Sequence, residues 1–241
     1  MNESAAIAEP TLRARATLSL ARRDEMFALL ARHFDGATRE QFESDLAAKD
    51  WVIELNREGR VFGFTTLRVA TSLLEGVPVT VLYSGDTIVA PEAWGTPALA
   101  RAWIAGVNRI KAGLPGRRCF WLLLTSGFRT YRFLPVFWRE FFPRFDQETP
   151  LTLQRLLAQL AREGYGRLFD PASGVVRFAN PQRLRGPLAA IPVWREANPH
   201  IAFFLRRNPG HVRGDELVCL TEICAGNLTA AGRRMVTPPA H

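Results

Sequence analysis

The sequence predicts one α/β domain in which helices flank a mixed, mostly antiparallel central sheet. Three observations predict it. Runs of strand length rich in Val, Ile and Leu alternate with segments whose apolar residues recur at helical spacing. The strands of the first half follow one another through short turns, as hairpins do, while the wholly apolar 119–125 run follows a helix and suits a buried parallel strand. A chain of 241 residues, 47% hydrophobic and 22% charged, can also enclose one sizeable core.

Residues 1–16 read as a flexible N-terminal arm, 17–236 as the domain, and 237–241 as a tail frayed by Pro238 and Pro239. Asp24 is the expected cap of a helix through Met26, Phe27, Leu29, Leu30 and His33, and Thr38 with Gln41 makes a capping box for a second. A strand at 51–55 turns at Glu58-Gly59 into another at 61–69, and a long third strand covers 78–89. The next helix, 97–112, opens on Pro97, where proline is tolerated, and carries Trp103, Ile104, Val107 and Ile110 on its apolar face. Beyond the 119–125 strand, an aromatic and basic stretch at 128–145 begins as a helix. Residues 151–163 are amphipathic through Leu153, Leu156, Leu157 and Leu160. Residues 165–195, rich in Gly, Pro and Arg, read as an irregular insertion longer than an ordinary connection. Two closing strands are expected at 201–206 and 216–223, joined through Asn208-Pro209-Gly210.

The chain is strongly basic, with a formal charge of +8, and its cations are arginines apart from Lys49 and Lys111. Such a surplus attracts anionic partners: phosphorylated cofactors, acidic carrier proteins or anionic membrane surfaces. Nucleic acid fits the charge but not the pattern, because no binding module is present and the cations are spread along the whole chain. Cys119, Cys219 and Cys224 are odd in number and outside metal-ligand spacing, so neither a disulfide framework nor a metal site is expected. The first ten residues lack the pattern of a secretory leader, and no run reaches 18 apolar residues. The expectation is a cytoplasmic protein, with peripheral contact to the inner membrane face left open. Hydrolase spacings of Ser/His/Asp or Cys/His, a G-x-S-x-G turn and a Gly-rich nucleotide loop are all missing.

The helix pair, the three-strand meander, the helix opening after the long strand and the apolar 119–125 strand together resemble the GNAT acyltransferase superfamily. The resemblance covers about 18–144, with 201–223 supplying the last two strands. It implies acyl transfer from a thioester held between the fourth and fifth strands. The chain departs from the family at the phosphate loop. Where members that use coenzyme A carry Arg/Gln-x-x-Gly-x-Gly/Ala, this chain reads Ala90-Pro91-Glu92-Ala93-Trp94-Gly95-Thr96-Pro97-Ala98-Leu99. Only Gly95 is kept, and Pro97 removes a backbone donor. Trp94, Gly95 and Thr96 are left to meet the donor's phosphates, with Gly85 and Gly127 letting backbone approach it. An altered loop on a basic chain looks like the branch of acyl-homoserine-lactone synthases and long-chain N-acyl amino acid synthases, which draws on acyl carrier protein. Acyl-CoA and acyl carrier protein both stay open as the co-substrate, and no tightly bound cofactor is implied.

Acyl transfer to an amine or hydroxyl needs a base, a polarised carbonyl and a proton for the leaving thiolate. Gly85, inside a long strand, marks a bulge, and Asp86 beside it is the candidate base, its pKa raised among apolar residues. Asp86 can equally pair with a cation and do no chemistry. The resemblance gives Tyr131 the task of protonating the thiolate, though it can equally pack in a core. Ser126 orients the acyl carbonyl or caps the following helix. His211, Asp215 and Glu216, in the polar 208–216 loop, are the candidate acceptor site. The 133–143 run is too aromatic for one helical face. It lines an acyl-chain cavity, meets a membrane beside Arg129, Arg132, Arg139 and Arg144, or thickens the core under 151–163. The alternative to an enzyme is a non-catalytic binding protein on the same scaffold, engaging an acidic protein or a membrane surface.

Overall fold

A computed structural model describes residues 10–93, 96–114, 116–186 and 191–236. The chain runs through Thr11–Ala14 (β1), Leu20–His33 (α1), Phe34–Asp35 (β2), Arg39–Ala47 (α2), Trp51–Arg57 (β3), Arg60–Leu74 (β4), Val77–Val89 (β5) and Ala98–Ala112 (α3). It continues through Cys119–Thr125 (β6), Phe128–Tyr131 (α4), Phe133–Phe137 (α5), Leu151–Tyr165 (α6), Phe169–Asp170 (β7), Val175–Val176 (β8) and Arg183–Leu184 (β9). It closes with Val193–Glu196 (α7), Pro199–Arg207 (α8), Glu216–Glu222 (β10) and Ala230–Val236 (α9). The main sheet has the order β1-β3-β4-β5-β6-β10-β8-β7, and β2 pairs with β9 apart from it. Among the described residues β5 and β6 are the one parallel pair of the main sheet, and its other pairs are antiparallel. The expected mixed, mostly antiparallel sheet flanked by helices is therefore the one found.

Strand alternation divides the core between two faces. One face carries Ile53, Leu55, Leu67, Leu82, Trp121, Leu123, Leu217 and Cys219, and it is covered by α3 with Trp103 and Val107, α4, α8 with Ile201 and Phe204, and Leu228 before α9. The other face carries two separate clusters. Val79, Val81, Phe120, Leu122, Val218 and Leu220 lie under Leu156, Leu157 and Leu160 of α6. Val52, Val61, Phe64 and Ile88 lie under Met26, Leu30, Phe42 and Leu46 of α1 and α2. The ground between these two clusters is polar, with Lys49 and Thr66 buried there.

Local chemistry sets the element ends. Thr38 Oγ1 accepts from the Gln41 N–H as expected, but the Gln41 side chain turns to Asp45 rather than back to the cap. Asp24 is not the cap of α1. Ser19 is, accepting from the Arg22 N–H, and the helix starts a turn earlier; Asp24 instead meets Arg39 at 2.6 Å. The arm expectation fails from Thr11 onward, because β1 pairs in register with β3 from Thr11–Glu54 to Ala14–Trp51. Arg13 of β1 and Arg22 of α1 reach the fully enclosed Glu54 carboxylate at 3.1 and 3.6 Å, which ties strand, helix and sheet together.

The closing hairpin is also corrected. The 201–206 stretch is the middle of helix α8, whose Asn198 side chain accepts from the His200 and Ile201 N–H groups with Pro199 in the first turn. The sheet is extended past β10 by the two-residue strands β8 and β7 of the 165–195 region, not by 201–206. That region holds β7, β8, β9 and α7 among its described residues and is otherwise irregular. The aromatic 133–143 run is core, but not under α6. Leu134, Trp138 and Phe141 join the face covered by α3 and α8.

Candidate active site

Strand β5 pairs with β6 only from Thr80–Cys119 to Ser84–Leu123. Past Ser84, β5 continues along β4, and the register slips between Phe64 and Thr66. That slip is the bulge expected at Gly85-Asp86, and Asp86 sits in the left-handed region with φ +43°. A carboxylate-bearing residue tolerates this conformation better than a β-branched one, at a cost on the order of 1 kcal/mol. The bulge turns Asp86 onto the α2/α6 face, into the polar ground between the two clusters. On the opposite face the Trp121 indole donates to Ser84 Oγ at 2.8 Å, so the strand is pinned just before it bulges.

Around Asp86 the structure gathers groups from five segments. Lys49, just past α2 and only 7% exposed, places Nζ 3.7 Å from Asp86 Oδ2 and donates to the Asp45 carbonyl at 3.0 Å. Thr66 of β4 gives its hydroxyl to the Gly85 carbonyl at 2.8 Å. Tyr83, one residue pair before the bulge, lies under the Lys49 ammonium, 5.5 Å from ring centre to Nζ, and shares a hydrogen bond with Tyr165 of α6. Glu216, the first residue of β10, faces the same ground and feels the charge of Asp86.

Burial dominates the electrostatics. It lifts the Asp86 carboxyl above its ordinary value, against the pull of Lys49. It lifts Glu216 to about 8, with the negative charges of Asp86 and then Asp45 adding to the rise. Burial also raises Tyr83 and Tyr165, so both phenols stay neutral near pH 7. The ground therefore holds one carboxylate close to a buried ammonium and a second whose proton exchanges near physiological pH. Such a pair can hold a cation and move a proton.

The other candidates from the sequence fall elsewhere. Tyr131 is fully enclosed on the α3/α8 face and its hydroxyl donates to the Pro143 carbonyl at 3.0 Å. Its hydroxyl proton is therefore directed at that carbonyl. Ser126 is half-buried at the end of β6, and Thr125, not Ser126, makes the turn contacts to Gly127 N and O at 3.0 Å. Gly127 precedes α4 in extended conformation. Thr96 is exposed before α3, while Trp94 and Gly95 lie outside the described residues. His211 stacks edge-on near Phe204 and bonds the Ser126 backbone, and Asp215 sits between Arg177 and Arg213. Of the proposed acceptor loop, only Glu216 is brought to Asp86. Lys49, Tyr83 and Tyr165 were not singled out from sequence. The one available signal was that Lys49 is one of two lysines among 31 basic residues.

Three solved structures align with part of this chain. A GNAT family N-acetyltransferase from Escherichia coli, solved with CoA, is 16% identical, with 55% of this chain and 71% of that one aligned at a TM-score of 0.39. An acetyltransferase from Trypanosoma brucei is 15% identical over 59% of this chain and 99% of its own, at 0.41. A conserved Enterococcus faecalis V583 protein of unknown function is 14% identical over 52% of this chain at 0.40, and the match spans 31% of that longer protein. No family model matches the chain, and no curated protein does. Among the described residues no helix is long and apolar enough to cross a membrane, and no group of His, Cys, Asp and Glu could hold a metal ion.

Proposed function

We propose that the protein transfers an acyl group from a thioester, carried by coenzyme A or by an acyl carrier protein, to an amine acceptor. The observation that carries this reading is that Glu216 feels the charge of Asp86 across β6, where β5 bulges away from that parallel partner. An opening between parallel strands bares backbone that a thioester can meet, and the bulge places a carboxylate at its edge. An amine arrives as an ammonium and must lose a proton to attack. Asp86 and Asp45 favour its approach, and Glu216, with a pKa of about 8, is matched to take that proton. The Tyr83 phenol, kept neutral by burial, supplies a hydroxyl donor on the same face.

Lys49 positions Asp86 and limits how far burial can neutralise it. Ser126 and Gly127, at the end of β6, border the same opening and remain candidates for contact with the acyl carbonyl. A binding role without catalysis is favoured by a single observation, that the Tyr131 hydroxyl is engaged by Pro143.

The test is a thermal melt with acetyl-CoA, a long-chain acyl-CoA and an acylated carrier protein, followed by thiol release with a panel of amines. A ligand selective for the folded state raises the midpoint by mass action. A rise with one donor and amine-dependent thiol release is the expected outcome. No rise with any thioester would place the binding role ahead.

A further inference from the structure

A second polar feature lies on the sheet's other side, near its β8 edge. A cavity of about 260 Å³ opens between the end of α8, the 173–177 segment and the 209–215 loop. Arg177, Arg206, Arg207 and Arg213 line it, against the single carboxylate of Asp215. The negative end of α8 accounts for cations at Arg206 and Arg207, but Arg177 and Arg213 arrive from separate segments.

Asp215 cannot neutralise the group. It lies 3.6 Å from Arg177 Nε and 3.7 Å from Arg213 Nη2, both beyond hydrogen-bond distance, and Arg177 is otherwise drawn to Asp170 at 3.1 Å. Arg206 and Arg207 make no ion pair among the described residues, and Arg207 Nε is enclosed without a partner. The wall is a built one. Asn208 is fully buried and donates to the Asp215 carbonyl at 2.7 Å, which fixes the loop. A side chain at Gly210 would run into the Asp215 carboxylate and Arg213, so only glycine lets the loop draw in this closely.

We propose that this cavity binds the phosphate group of a small phosphorylated molecule. A phosphate dianion relieves the repulsion among four guanidinium groups and matches their planar, forked donors. The site stands two strands from the β5–β6 opening and on the opposite face from Glu216, so it does not rest on the acyl-transfer reading. The phosphate can belong to the thioester donor itself or to a separate molecule.

The test is calorimetric titration of inorganic phosphate into the full chain at pH 7.5, with chloride holding ionic strength constant. Saturable one-site binding is expected. It should weaken at least tenfold in the Arg206→Gln/Arg213→Gln double variant, whose two residues are exposed and spare the core, and persist in Arg234→Gln on α9. Competition by coenzyme A would assign the phosphate to the donor; competition by glucose 6-phosphate alone would assign it to a second ligand. Absence of saturable binding, or equal binding by the double variant, would overturn the proposal.

Discussion

Glu216 begins β10 at the margin of a loop, yet burial raises its carboxyl to about 8, with the charges of Asp86 and Asp45 adding to the rise. If it is the base, the acyl-transfer rate should climb with pH around a midpoint near 8, as the fraction of carboxylate grows. Glu216→Gln should remove that rise and lower kcat by about 10²- to 10⁴-fold, the usual contribution of a positioned base. A pH–rate profile for the variant that keeps the same midpoint would exclude Glu216. At this scale the sequence disclosed two members of the cluster, Asp86 and Glu216. Asp86 was legible because Gly85 interrupts a strand and strands are where a bulge leaves a mark. Lys49, Tyr83 and Tyr165 were not, since their meeting depends on the register of β4 against β5 and on where α6 lands, neither of which is local.

Among the elements, α8 is the most instructive. Its Phe203-Phe204-Leu205 run reads as a strand, while Asn198-Pro199 ahead of it is a helix-start signal and Ile201, Phe204 and Leu205 keep helical spacing. The cap decides the outcome, because it satisfies two N–H groups that a strand would have had to pair. Asn198→Ala should therefore cost about 1 kcal/mol, read as a lower denaturant midpoint with an unchanged slope. A variant as stable as the parent would show that tertiary packing of Ile201 and Phe204 alone holds the helix. Elements with one strong local signal, such as α3, β6 and α6, appear within a residue or two of where the sequence puts them. The two-residue strands β7 and β8 carry no such signal: β8 forms on the edge that β10 offers, and β7 on the edge that β8 offers.

At the scale of the whole molecule, the buried carboxylates make folding depend on pH. Below an ordinary carboxyl pKa of about 4.5, Glu216 is neutral in both the folded and unfolded chain and costs nothing. As pH rises toward 8, the unfolded chain releases the proton while the folded one retains it, so stability falls across that window and levels off above it. Asp86, also raised by burial, adds a trend of the same sign. Melts of the wild type and Glu216→Gln should coincide most closely near pH 4.5 and diverge toward pH 8, with the variant the more stable. A gap independent of pH would mean that Glu216 is solvated. Fold class was the most legible property of all, because hairpin spacing and one buried apolar strand constrain a sheet more tightly than they constrain any site upon it.

Trp103, Trp121 and Trp138 lie with ring centres 4.0 to 5.6 Å apart, close enough for their excited states to mix. Near-ultraviolet circular dichroism should therefore carry an exciton signature from this trio. Trp121 is also the indole that holds Ser84, one residue before the bulge. Anything that wedges β5 from β6 must disturb that bond, so the molecule carries an optical gauge of its own opening, readable without a label.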